Sequence, residues 1–164
     1  MYFSAYNFAD VLNGEGCRIS VFVSGCSHEC KGCYNQKTWR PDFGEQWTES
    51  HLNKLLDDLK HPGISGITLT GGDPLYEGNL QDVEHIIDTV KRFHPDKNIW
   101  MWSGYRLEKL DENRKKIVEK VDTFIDGRFE ESLHCPSLLW RGSSNQTIWR
   151  ISDNQISDIT PRPN

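Results

Sequence analysis

Cys26, Cys30 and Cys33 bring three thiols into eight residues, spaced C-x3-C-x2-C within Gly25-Cys26-Ser27-His28-Glu29-Cys30-Lys31-Gly32-Cys33-Tyr34. Three thiolates gathered on one loop suit a soft metal centre. A four-iron cluster ordinarily takes four cysteines, so three would leave one iron open to a small molecule. The alternative is a closed zinc site in which His28 completes the set beside Cys26, Cys30 and Cys33. Gly25 and Gly32 let the loop turn back on itself, because glycine reaches positive φ at little cost. Of the other two cysteines, Cys17 stands alone before the first strand and reads as a small buried apolar residue, and Cys135 sits in a proline-bearing loop.

The elements that must position these thiols follow from periodicity. Residues 19–24 are apolar and β-branched, a strand that delivers the loop from its end. Leu52, Leu55, Leu56 and Leu59 recur at helical spacing after Thr48, an N-cap, and Pro62-Gly63 closes that helix. Residues 64–70 predict a second strand running into Gly71-Gly72-Asp73-Pro74, where paired glycines allow close approach to the backbone. Leu80, Val83, Ile87 and Val90 predict the next helix, and residues 99–102 a third strand before Ser103-Gly104-Tyr105. Leu107, Leu110, Ile117, Val118 and Val121 predict a third helix, then come strands at 123–125 and 147–151. Residues 1–18 predict an edge strand and a turn at Asn13-Gly14. Trp39 reads as a core filler more than as a cover for the thiol loop.

Strand and helix alternate at roughly thirty-residue intervals, the span of a βαβ unit. The expected fold is α/β: a partial, laterally open, TIM-like (βα) barrel of about five mostly parallel strands, too few to close. The thiol loop, Gly71-Gly72, Ser103-Gly104 and Asp126-Gly127 then share the strands' C-terminal ends, where sites lie in such sheets. With 164 residues the chain makes one domain over 1–151, followed by a loose polar tail over 152–164.

Composition excludes several classes. A net charge of -5 speaks against non-specific nucleic-acid binding. Five cysteines, three of them clustered, are not a secreted disulfide framework. Runs such as Ile99-Trp100-Met101-Trp102 are too short to span a bilayer, and no signal peptide is evident. The expected location is cytoplasmic, where thiolates stay reduced.

The C-x3-C-x2-C loop together with Gly71-Gly72-Asp73-Pro74 resembles the radical S-adenosylmethionine enzymes. Adding Asn13-Gly14, Thr38-Trp39, Trp102-Ser103-Gly104-Tyr105, Asp126-Gly127 and Trp140-Arg141-Gly142-Ser143-Ser144-Asn145-Gln146, the chain from about residue 8 to 150 is similar to the family that activates the anaerobic ribonucleoside-triphosphate reductase. The resemblance implies an oxidoreductase with a [4Fe-4S] cluster held by Cys26, Cys30 and Cys33, and S-adenosylmethionine as second cofactor. It implies cleavage of that cofactor to a 5′-deoxyadenosyl radical and hydrogen abstraction from a glycine of the reductase, which becomes a glycyl radical. It places Gly32, Cys33 and Tyr34 against the cofactor, with Gly71, Gly72 and Asp73 shaping its amino-acid pocket. Ser103 and Arg141 are further candidates for contact. An electron donor such as reduced flavodoxin is implied. Two other readings are a different small radical S-adenosylmethionine enzyme and a non-catalytic zinc-binding interaction module.

Overall fold

The computed structural model describes residues 1–152 and 155–161. Eight strands form one sheet: β1 (Tyr2–Asp10), β2 (Arg18–Val23), β3 (Glu45–Gln46), β4 (Gly66–Gly71), β5 (Asn98–Ser103), β6 (Thr123–Asp126), β7 (Thr147–Ser152) and β8 (Gln155–Asp158). Their order is β3-β1-β2-β4-β5-β6-β7-β8, with β3 and β8 at the two edges. The middle four strands are parallel to one another. The flanking pairs are antiparallel.

Crossovers between the parallel strands are made by α1 (Glu49–Leu59), α2 (Leu80–Phe93) and α3 (Glu112–Val118). Side chains alternate across a strand, so each parallel strand has two faces. Ile19, Val21 and Val23 of β2, Ile67 and Leu69 of β4, Ile99 and Met101 of β5 and Phe124 of β6 bury into one core with Leu52, Leu55, Leu59, Val83, Ile86, Ile87, Val90 and Ile117 of the helices. The opposite face is chemically different. Trp100 with Ile125 and Ile148 makes a second, smaller cluster, joined by Trp102 and Trp140. Beside it lie buried polar groups: Arg18 donates to Thr68 Oγ1 at 2.8 Å and stands over the Trp100 ring at 5.2 Å. The helices stabilise one face and leave the other free to carry a site.

The expectation of about five mostly parallel strands needs correcting: among the described residues there are eight strands, and only β2, β4, β5 and β6 are mutually parallel. The strand expected at 147–151 is antiparallel to β6, with Asp126 opposite Thr147. A parallel return needs a crossover that carries the chain back along the sheet. Residues 127–146 contain a short 3-10 turn at Glu131–Leu133 and an isolated bridge between His134 and Ser143 but no crossover helix, so β7 starts at the end where β6 stops. The third helix is shorter than predicted: Leu107–Lys109 is a 3-10 turn, and α3 starts after Asp111, whose carboxylate accepts from Arg114 N. Part of the stretch expected as a loose tail is β8, with Ile156 opposite Ile151. Thr160 Oγ1 also accepts from Ile148 N at 2.8 Å. Tail residues 153, 154 and 162–164 lie outside the described residues.

Candidate functional site

The thiol loop leaves β2 at Val23 and is held at its root by backbone bonds. Gly25 N donates to Thr38 O at 2.7 Å and Cys26 N to Trp39 O at 3.2 Å. Gly25 has φ 99°, and a Cβ there would fall 2.6 Å from the Tyr76 ring. Cys33 N donates back to Cys30 O at 3.1 Å, closing the turn that carries the last two thiols. Cys26, Cys30 and Cys33 all line one cavity of about 610 Å³ at the C-terminal ends of the parallel strands. That volume falls in the range of small-molecule sites.

No disulfide ties the three thiols. Burial pushes the Cys26 thiol up to about 11, against a smaller downward pull from the His28 backbone N–H. Burial also raises Cys30, opposed by the Phe129 backbone N–H. Burial thus disfavours ionisation of both sulfurs, and a metal centre would have to displace their protons.

The donor set fits a four-iron cluster with one iron lacking a protein ligand. Neither Cys17 nor Cys135 lines the cavity. Cys26, His28 and Asp73 do offer donor atoms within 4.8 Å of one another. Yet Asp73 already accepts from Ser103 Oγ (2.9 Å), Gly104 N (3.0 Å) and Leu75 N (2.8 Å). His28 Nε2, 2.7 Å from Asp73 Oδ2, is thus the donor in that pair. A closed zinc site using that nitrogen would have to break the pair.

Gly71 and Gly72 line the cavity beside the thiols. Gly71 has φ 109°, and a Cβ there would meet the Val23 carbonyl oxygen at 2.6 Å. A Cβ on Gly72 would lie 2.7 Å from Gly25 O and 2.8 Å from Thr38 O. Backbone bonds complete the seam: Gly72 N to Val23 O at 2.7 Å, and Asp73 N to Gly25 O at 2.8 Å. The close approach that these glycines permit is first of all that of the thiol loop itself.

Residues 127–146 form the facing wall. Gln146 pins it: its Oε1 accepts from Gly142 N (2.8 Å) and Ser143 N (3.1 Å), while its Nε2 donates to Gly127 O (2.9 Å). Asn145 Nδ2 donates to Arg128 O at 2.8 Å, and Ser143 Oγ accepts from Glu130 N at 3.1 Å. The Trp140–Gln146 motif is therefore a clasp for this wall. Arg141 lines the cavity, almost buried, and donates to Gln146 O and Pro161 O. Trp102 lines it too, its Nε1 donating to Trp140 O at 2.9 Å.

Of the predicted residues, Cys26, Cys30, Gly32, Cys33, Tyr34, Gly71 and Gly72 come together at this cavity, with Ser103 and Arg141. Tyr34 stands at its rim, 87% exposed. Asp73 is absent from the cavity lining; it is buried, and its carboxylate braces Ser103, Gly104 and His28, which do line it. Trp39, expected in the core, lines the cavity instead. Sequence reasoning missed Trp102 and Phe129 as lining residues and the bracing role of His28. Only the place of His28 inside the thiol loop signalled it.

The family described as a 4Fe-4S single cluster domain matches residues 12–149. Several curated relatives are similar over nearly their whole length. An "Anaerobic ribonucleoside-triphosphate reductase-activating protein" of Haemophilus influenzae is 45% identical over 153 residues, 92% of this chain and 99% of the relative. Those of the same name from Vibrio cholerae and Escherichia coli K12 are 43% and 41% identical, covering 93% and 92% of this chain and 99% of each relative.

Proposed function

The chain belongs to the family of anaerobic ribonucleoside-triphosphate reductase-activating proteins, and we infer that it activates such a reductase by generating a glycyl radical on it. The observation that carries this reading is the trio Cys26, Cys30 and Cys33 on one open cavity beside Gly71 and Gly72, without a fourth thiol lining it. When bound, the [4Fe-4S] cluster and S-adenosylmethionine supply one-electron cleavage of the cofactor's sulfonium and the hydrogen-abstracting power that follows.

The chain's own residues hold, orient and shield. Cys26, Cys30 and Cys33 hold the cluster. The backbone at Gly32, Cys33 and Tyr34 flanks the cofactor, and Gly71 and Gly72 edge its amino-acid end. Asp73 acts from behind by fixing Ser103 and Gly104. Trp39, Trp102 and Trp140 supply apolar wall that limits water at the reacting centre. In this reading the four parallel strands form the arc of a partial (βα) barrel, and the reductase's glycine loop enters across its open side. Neither a nucleophile–base pair nor a carboxylate pair is called on, since the cofactors carry the hard step.

The electron donor in this proposal is a reduced flavodoxin-type protein, and the working location is the cytoplasm. Among the described residues no helix is long and apolar enough to cross a membrane, and a net charge of -5 disfavours non-specific nucleic-acid binding. The test is product analysis under anaerobic reduction. S-adenosylmethionine should yield 5′-deoxyadenosine and methionine in step with reductase activation. Consumption of a ribonucleotide in step with 5′-deoxyadenosine, with no reductase present, would contradict the proposal.

A further inference from the structure

We propose that His28 is a positioning residue: a latch, closed on Asp73, that sets the thiol loop against the ends of β4 and β5. The proposal rests on the functional reading above for what the latch serves, but the latch itself is a matter of geometry. His28 lies between Cys26 and Cys30 in the chain, and its side chain is only 5% exposed. Asp73, its partner, is 1% exposed and follows the Gly71-Gly72 edge of the cavity.

The carboxylate is a junction of three segments. It accepts from His28 Nε2 of the thiol loop, from Leu75 N after β4, and from Ser103 Oγ and Gly104 N at the end of β5. Ser103 Oγ in turn accepts from Tyr105 N at 3.1 Å. The His28 ring packs edge-on against Tyr105 with centroids 4.6 Å apart. It also fills the space beside Gly104, where a Cβ would overlap His28 Cδ2. Gly104 is thus glycine because the imidazole occupies the place of its side chain.

The same residue also acts on the metal-binding side. It stands two residues from Cys26 and two from Cys30, so the segment that its ring anchors is the one that carries both thiols. Anchoring the ring therefore holds the thiol-bearing loop against the strand ends on the cavity side. Groups that orient a ligand from behind it typically change affinity by ten- to a hundredfold when removed. Glutamine can offer an N–H to Asp73 in place of Nε2, whereas alanine cannot.

The experiment compares wild type, His28→Ala and His28→Gln, each loaded with its cluster without oxygen. Three quantities are read: S-adenosylmethionine affinity by calorimetry, the cluster's midpoint potential, and hydrogen exchange in the peptide 103–107. His28→Ala should weaken cofactor binding about tenfold, shift the potential and speed exchange at Gly104. His28→Gln should restore most of all three. If His28→Ala does not load, His28→Gln alone decides: near-native affinity and exchange support the latch, and their loss overturns it. Native affinity and exchange in His28→Ala, or a glutamine variant no better than alanine, would overturn it as well. A wild-type protein that binds no S-adenosylmethionine would sink the functional reading, and the exchange data would still decide the latch.

Discussion

Gly72 lies flat against Gly25: a Cβ on Gly72 would be 2.7 Å from the Gly25 carbonyl oxygen. The glycine pair at the end of β4 and the root of the thiol loop are thus one packed unit. A side chain there must push the loop before it reaches any cofactor. Gly72→Val is expected to cost about 2–3 kcal/mol, or ~6–10 °C in Tm. It should lower iron loading together with S-adenosylmethionine binding. Iron analysis alongside calorimetry checks this; full iron with only the affinity reduced would mean that the glycine serves the cofactor alone.

Cys26→Ser, Cys30→Ser and Cys33→Ser should each abolish the intact cluster and cofactor cleavage, because no further thiol lines the cavity. Cys17→Ala and Cys135→Ala should retain about four irons per chain and a brown colour. Visible absorption and iron counts on anaerobically purified protein distinguish the two groups. A colourless Cys135→Ala protein would identify a fourth ligand and remove the open-iron argument.

Metal loading should depend steeply on pH. Burial raises Cys26 to about 11 and shifts Cys30 upward as well, so both thiols are protonated at pH 7. An incoming ion must release those protons, so affinity rises as pH rises towards the thiol pKa. The protons of Cys26 and Cys30 alone should make Co²⁺ affinity grow by about a hundredfold per pH unit between pH 7 and 9. Thiolate-to-cobalt absorption during titration of the metal-free chain measures it. Affinity that is flat across this range would show that the sulfurs are already ionised.

The sequence made some of this plain and hid the rest for physical reasons. Three clustered cysteines, leucines at helical spacing in α1 and β-branched runs in β2 and β4 are strong local signals, and those elements stand where they were expected. β3 has two residues and β8 is exposed along its length, so neither shows the alternation by which a half-buried strand is recognised. The direction of β7 depended on residues 127–146 lacking a crossover helix, which strand propensity alone does not reveal. The resemblance implied that Asp73 shapes the cofactor pocket; local pattern could not show that its carboxylate accepts from four donors, one of them forty-five positions away. Gln146 was legible only as part of a motif, because its clasp is made to residues up to nineteen positions away.

The central claim is that this chain places a radical on a partner's backbone. The reduced protein, S-adenosylmethionine and the anaerobic reductase should give a glycine-centred doublet by electron paramagnetic resonance. The doublet should vanish when the reductase's radical glycine is replaced by alanine, and when Cys30 of this chain is replaced by serine. A reductase that gains no doublet while S-adenosylmethionine is still cleaved, or a signal that survives the glycine replacement, would contradict the account.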